Sequence, residues 1–509
     1  MASLPDIVIG SGPSGVSVAY ARLNLGQNVL MIDAGRVLEQ KQIGLRDDLA
    51  EVDPKDWSQN ALKSYKSGQL DAPDGAIRKF GSDYAINPHA EVYSNDINEV
   101  DLRSSHAKGG LSNLWGASVL PSARSDISDW PVVSKELEKH YEAVTQFMPL
   151  SGRDDGLRDV YPELKMNDYN ALKFTPQGEE LLRRADIRQN DLDIKIGAAR
   201  NAVSGKCKAC GLCLYGCPWG YIWSAAQTVE SLKENHLFEY KTGLVHSISN
   251  LNDRVQVTLI DGQAIEGKRL FLGAGVLETA KIMLRSFPTL GSLTLLDSQH
   301  IFTPFLHSWT PSPNPESEQH HTLASAFVAF EVGDKQRLSH SQLYTWNEQY
   351  LRELMLNYGS KIPFSKGLFT ALSKRLIVAQ SFLHSDYSGR IGLTLGADGR
   401  LDAKNQNSAQ ALDIITETRR MLSRNLRKLG LFALNFAGRT GAPGSSFHVG
   451  GSLPMRDTPR GAQSDVLGRF AGQERIHIVD ASVMPSIPAS TITFTVMANA
   501  HRIGKETPL

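Results

Sequence analysis

At 509 residues, with 41% hydrophobic and 21% charged, the chain is long enough to bury a large core and has the balance of a folded protein. That balance excludes intrinsic disorder, collagen-like repeats and coiled coil. Lys plus Arg and Asp plus Glu both total 54, so the formal net charge is zero and no global field gathers nucleic acid or an anionic membrane.

The first strand signal comes at once, in Ile7-Val-Ile9. No stretch approaches the length of an uninterrupted apolar membrane span, and no basic region with an apolar run precedes the strand. The expectation is a cytoplasmic protein without a transmembrane segment and without a nucleic-acid partner.

Asp6-Ile-Val-Ile-Gly10 reads as a buried strand running into Gly10-Ser-Gly12-Pro13-Ser14-Gly15, with a helix pattern (Val16, Val18, Ala19, Leu23) behind it. Gly10 permits the tight turn, Gly12 lets the backbone approach a pyrophosphate, and Gly15 lets the helix pack on the sheet. The helix start offers free amides and a positive dipole end to phosphates. Asn28 to Asp33 is the second strand, and Asp33, followed by Ala34, sits where a carboxylate accepts the ribose hydroxyls of a bound nucleotide. This unit predicts a dinucleotide but does not choose between FAD and NAD.

Ser128-Asp-Trp-Pro131, then Leu137, His140, Tyr141 and Val144, predicts a capped helix. All four cysteines follow in eleven residues: Cys207, Cys210, Cys213 and Cys217, before Pro218. The C-x2-C-x2-C-x3-C-P spacing is that of half a bacterial ferredoxin. An iron–sulfur cluster, a tetrahedral zinc and a packed or redox-sensitive loop without metal all stay open. A stable disulfide is disfavoured in a reducing compartment.

Leu244 to Ile248, which includes Val245, and Val255 to Leu259 predict a hairpin. Leu270-Phe-Leu-Gly273-Ala274-Gly275 is a second strand running into glycine, with a helix behind it, and suggests a chain that leaves a nucleotide fold and returns to it. Thr310 to Pro315 reads as a surface loop. The stretch from Lys361 to Phe382 predicts a helix packed on the core, with a membrane-surface helix as the less favoured reading. Leu383 to Gly389, ahead of the alternating Ile391 to Leu395, predicts a strand of a substrate-binding sheet. Ile476 to Asp480 is another strand, and Thr495 to Arg502 a closing helix.

At four places the chain resembles the glucose–methanol–choline (GMC) oxidoreductase family. They are the N-terminal glycine fingerprint, Gly273-Ala274-Gly275 with its helix, Gly109-Gly110-Leu-Ser112-Asn113-Leu-Trp115-Gly116, and Val479-Asp480-Ala481-Ser-Val-Met-Pro485. The resemblance implies an α/β fold: a Rossmann-like FAD-binding domain assembled from discontinuous segments, plus a substrate domain with an antiparallel sheet flanked by helices. The implied division is 1–120 and 201–290 for two parts of the FAD domain (the second with the cysteine-rich segment), 121–200 and 291–439 for the substrate domain, and 440–509 for the catalytic segment and closing part. It implies non-covalent FAD as cofactor. It also places Ser105 to Trp115 along the flavin ring, Asp480 and Ala481 near the ribityl-phosphate, and Val245 among the cofactor contacts. His106 lies near that flavin segment without a specific linkage signal. The cysteine-rich segment is similar to one in some members of the family; a cluster there would serve as an electron exit from the flavin and favour a dehydrogenase over an oxidase.

Ser446-Phe-His448-Val-Gly-Gly451 resembles the family's catalytic-histidine segment, which makes His448 the candidate base; histidine suits the role because its pKa lies near neutrality. The family's second catalytic residue, His or Asn, falls here on Thr491, or on Ser490 with a one-residue gap. Neither hydroxyl is a base near neutral pH, though either orients a substrate by hydrogen bonding. Asn499, inside the closing helix, is expected to face away. Leu114 to Pro121 with the Asp-Trp-Pro segment is similar to a branch associated with bacterial polysaccharide pathways and implies a sugar, glycoside or polyol substrate. The expected function is FAD-dependent oxidation of a CH–OH group, with an external electron acceptor. A redox-neutral isomerase and a non-catalytic flavoprotein scaffold are the alternatives.

Overall fold

The computed structural model describes residues 4–66, 78–92, 100–166, 169–359 and 366–509. Five parallel strands form the nucleotide sheet: β1 (Asp6–Ile9), β2 (Val29–Asp33), β4 (Phe238–Thr242), β8 (Arg269–Leu272) and β19 (Ile476–Ile478), in the order β19-β8-β1-β2-β4. Ile7 pairs with Leu30 on one side and Leu270 on the other, and Leu270 pairs in turn with Ile476. Every residue of β1 and β8 is buried, as in a parallel sheet covered on both faces. Helix α1 (Pro13–Leu23) follows β1. The three-stranded antiparallel sheet of β5 (Val245–Asn250), β6 (Val255–Leu259) and β7 (Ala264–Gly267) is inserted between β4 and β8. The expected hairpin is therefore two-thirds of a meander.

The second module is a seven-stranded antiparallel sheet. It contains β3 (Lys195–Ala198), β10 (His300–His307), β11 (Ala326–Val332), β12 (Arg337–Tyr344), β13 (Leu376–Leu383), β16 (Leu431–Ala433) and β17 (Arg439–Thr440), ordered β16-β10-β13-β12-β11-β3 with β17 also paired to β10. One face packs Phe305, Val328, Leu343 and Ile377 against helices α3 (Pro176–Arg188) and α6 (Ala411–Lys428), through Leu181, Leu182, Leu422 and Leu426. The other face is turned to the nucleotide module. A four-stranded sheet, β15-β14-β9-β18, ties the two together: β9 is Ser292–Asp297, β14 Arg390–Leu395, β15 Leu401–Gln406 and β18 Val449–Gly450.

The closing helix, α7 (Thr493–Glu506), is buried on all sides between α1 and α2 (Ser134–Val144). Gly504 is what allows this: a Cβ there would lie 3.2 Å from the Val18 carbonyl oxygen. The Arg22 guanidinium of α1 holds Asp6 at 2.7 Å and donates to the Gly504 and Thr507 carbonyls, capping the C-terminal end of α7.

Three expectations change. Helix α2 begins at Ser134 with no side-chain cap, so Ser128-Asp-Trp-Pro131 precedes it as a separate turn. Residues 361–365 lie outside the described residues, and the described part of the stretch holds a short helix, Lys366–Ser373, and then strand β13. The Ile377-Val378 pair sits between β10 and β12, where β-branched side chains pack well. Residues 384–389 join two sheets instead of forming a strand, because His384 is drawn inward to the Asp126 carbonyl at 3.2 Å.

Candidate active site

The nucleotide end is a wall of glycine backbone. Gly10 has φ +95°, and a Cβ there would stand 2.3 Å from the Gly273 carbonyl oxygen; at Gly15 it would stand 1.9 Å from that of Gly10. Gly12, by contrast, faces open space within 4 Å. Pro13 occupies the first position of α1, where its missing N–H costs nothing, and Ser14 is buried beside Gly273. The second glycine-rich turn meets the first: the Gly109 amide donates to Ser11 Oγ at 2.8 Å, and a Cβ on Gly110 would lie 3.5 Å from Gly12 Cα. Gly109 and Gly110 both have positive φ. Ser112 and Asn113 lock this turn through bonds to Gly109, Gly110 and Lys108 carbonyls.

Asp33 ends β2 and accepts from the Ser11 and Gly35 amides and the Tyr240 hydroxyl. Burial pushes its carboxyl upward against those hydrogen bonds. Ala34 continues past it, and Val245 starts the meander just beyond Gly243, whose amide bonds the Asp33 carbonyl. Ala274 and Gly275 lead into helix α5 (Val276–Ser286). The Asp480 carboxylate is occupied by the Gly275 amide, Thr279 Oγ1 and the Ser482 amide, so its side chain caps α5 and the turn after β19. The Ala481 carbonyl accepts from Gly451 at 2.9 Å, joining this turn to the His448 loop. Trp115 gives its indole N–H to the Trp223 carbonyl. His106 faces Glu278 at 3.4 Å. The open space at Gly12, the amides at the start of α1 and the carboxylate at the end of β2 fit the phosphates and ribose of FAD.

Over this wall lies the free face of the seven-stranded sheet. Cross-strand register places His300 and His340 on either side of Phe382, and Phe302 and Gln342 on either side of Gln380. Tyr344 follows on the same face, donating to Gln342 Oε1, which also accepts from Ser118 Oγ just after the Trp115 turn. His448 stacks on Phe382 at 4.5 Å and 26°. Its loop is pinned by Asp297, which accepts from the Gly444 amide and Ser446 Oγ, while Ser446 Oγ takes the His448 amide. Burial, then the neighbouring His300, holds the His448 imidazole down at about 3, so it is neutral at physiological pH. Phe447, beside it, has φ +62°, a left-handed backbone unusual for a bulky residue and the kind of strain that collects at functional sites.

Ser490 and Thr491 are buried, and neither hydroxyl has a hydrogen-bond partner. Their loop is held from the other module: Trp130 Nε1 donates to Ser486 Oγ at 2.7 Å, and the Ile487 amide to Ser385 Oγ at 2.9 Å. The Asp-Trp-Pro turn therefore braces the loop after Pro485. Asn499 sits inside α7 next to Arg502 and Met455. Sequence alone does not single out His300, His340, Gln342, Gln380 or Tyr344. The even-numbered polar alternation His340, Gln342, Tyr344 is its only trace, and a solvent-facing strand gives the same pattern.

The metal expectation for Cys207, Cys210, Cys213 and Cys217 is not met. All four are free thiols around a cavity of about 20 Å³, lined also by Leu172, Leu212, Trp219 and Leu323. That is room for about one water, not for an iron–sulfur cluster. Among the described residues no group of three or more His, Cys, Asp or Glu is set to hold a metal ion. Burial pushes the Cys210 thiol up to about 12 and Cys213 to about 11.

The architecture is a parallel dinucleotide-type sheet with an inserted meander, roofed by an antiparallel sheet. Residues 398–500 match the GMC oxidoreductase family model for its C-terminal domain, a span that holds His448, Asp480, Ser490 and Thr491. The whole chain shares its fold with the crystal structure of pyridoxine 4-oxidase from Mesorbium loti, at a TM-score of 0.60 and 13% identity, covering 99% of each chain. No curated protein sequence matches it. The match to the family model is confined to residues 398–500, and the likeness to the solved structure is one of fold. No helix among the described residues is long and apolar enough to cross a membrane.

Proposed function

We propose that the chain is an FAD-dependent oxidoreductase that oxidises a CH–OH group on a sugar, glycoside or polyol, with His448 as base and an external acceptor for the electrons. The observation that carries this reading is the meeting of a neutral, strained-loop imidazole with the glycine wall and the sheet face. Bound FAD would supply the hydride acceptor at N5. The rest of the chemistry falls to this chain. His448 takes the hydroxyl proton; its Nδ1 is buried without a partner. Gln342, Gln380 and Tyr344 offer amide and phenol groups suited to several hydroxyls at once, which favours a polyhydroxylated substrate. Phe302, Phe327 and Phe382 keep the face dry enough to strengthen those bonds.

The test is anaerobic mixing of the FAD-loaded protein with a panel of sugars and polyols while the visible flavin band is followed. At least one should bleach it. His448→Ala should keep FAD bound and lose the bleaching by two orders of magnitude or more, in the range of general-base catalysis, about 10²–10⁴-fold. Undiminished bleaching in that variant would remove His448 as base.

A further inference from the structure

This inference rests on the proposed function: where the resemblance implies a second catalytic His or Asn, the chain carries only Ser490 and Thr491, neither of which exchanges a proton near neutrality. We propose that His340, on strand β12 of the substrate sheet, is the second catalytic imidazole, binding the substrate hydroxyl opposite His448.

His340 is fully buried, and neither of its ring nitrogens has a hydrogen-bond partner. A buried imidazole without partners is costly unless a ligand completes it. Its neighbour His300 differs: Nδ1 meets Gln380 at 3.3 Å and Nε2 meets Ser445 at 3.4 Å. His384 is likewise engaged at both nitrogens. His321 is also buried without partners, but it lies against Phe174, whose ring packs on the far side of the sheet. Among the described histidines only His340 combines two buried, unpartnered ring nitrogens with a place on this face. Phe382 is the common platform: its ring is nearly parallel to His448 and to His340, with centroids at 4.5 and 6.5 Å. The two imidazoles repel one another when charged, which helps burial keep His340 neutral and therefore a donor at one nitrogen and an acceptor at the other.

The roles divide accordingly. His448 takes the proton of the breaking O–H bond; bound FAD would supply the acceptor for the C–H hydrogen and its electron pair, leaving a carbonyl. His340 donates its N–H to the oxygen as charge develops there and ends with the proton it began with. This is the function of an oxyanion donor. The group reaches the site from the substrate sheet, while the Pro485–Thr491 loop contributes only hydroxyls.

The experiment compares wild-type holoenzyme with His340→Ala, His340→Gln and His448→Ala, using the alcohol that bleaches the wild type fastest. His340→Ala should slow flavin reduction about 10²–10³-fold, as loss of one such donor does, with FAD content and melting temperature kept. His340→Gln, which retains an N–H donor, should recover at least tenfold of that loss. Calorimetric binding of the matching carbonyl product to the oxidised holoenzyme should weaken roughly tenfold in His340→Ala, the worth of about one hydrogen bond. Wild-type bleaching with an equally fast His340→Ala overturns the proposal and leaves the alcohol-oxidation reading standing. Equal losses in the Ala and Gln variants with reduced FAD content make His340 a packing residue and also overturn it. If no alcohol reduces the wild type, the reading itself has failed and the proposal falls with it.

Discussion

An imidazole held at about 3 by burial and by His300 behaves differently from one free in water. His448 is depressed below its ordinary value of 6.5, so its basic form prevails down to strongly acidic pH. As a base it should therefore work equally well from pH 6 to pH 8, where an unperturbed histidine would show an acid limb. The rate of flavin reduction, measured by rapid mixing across that window, should be flat; a limb near 6.5 would mean that substrate or cofactor restores water or negative charge to the ring. The same sign applies to stability. The unfolded chain binds the proton first, so His448 contributes stability above 6.5 that is lost as the pH falls through its folded value. Of the residues at this site, His448 was legible because its glycine-flanked segment is local in sequence. His340 and Gln342 were not, because their place on this face depends on cross-strand register with Phe382 and Gln380.

At the scale of elements, the glycine turn between β1 and α1 separates folding from binding. Gly15→Ala would place a methyl 1.9 Å from the Gly10 carbonyl and should destabilise the fold itself, seen as a lowered melting temperature and poor soluble yield. Gly12 has φ −67° and open space around it, so Gly12→Ala should leave the melting of the FAD-free protein nearly unchanged. Its methyl would stand where a pyrophosphate approaches, and FAD affinity, measured by fluorescence titration, should fall tenfold or more, about 1.4 kcal/mol. Equal effects of the two substitutions on melting would deny this division. Four of the five strands of the parallel sheet could be read from sequence because strands buried on both faces are runs of apolar residues, as in Ile7-Val-Ile9 and Leu270-Phe-Leu272, whereas β4, Phe238–Thr242, could not, because only Phe238 of its five residues is buried. The stretch before Phe382 misled because Leu, Ile and Phe with scattered Lys suit a helix and a buried strand alike. The cysteine spacing could be read only so far for a related reason: a motif gives the ligand types, whereas a cluster also needs a cavity, and the one among these four thiols is about 20 Å³.

Across the whole molecule, Arg22 and Asp6 bind the beginning of the nucleotide sheet to its last helix. The pair is fully buried, with Arg269 3.4 Å from the other carboxylate oxygen. Removing one partner leaves a buried charge behind, so Arg22→Met should cost about 3–5 kcal/mol. This is measurable as a lower urea midpoint, whereas a shift within error would mean that Arg269 alone satisfies Asp6. The coupling reaches further, because the register runs from Asp6 to Arg269 and from Leu270 to Ile476, while α7 seals the module between α1 and α2. A ribosome making about 5–20 residues per second needs on the order of half a minute or more to supply the strand at Ile476 after Ile9 has emerged. Until Arg269–Leu272 is made β1 lacks its neighbour on that side, and from then until Ile476 the outer edge of β8 does, so an apolar strand edge stays unpaired for longer than in a chain with a contiguous nucleotide domain.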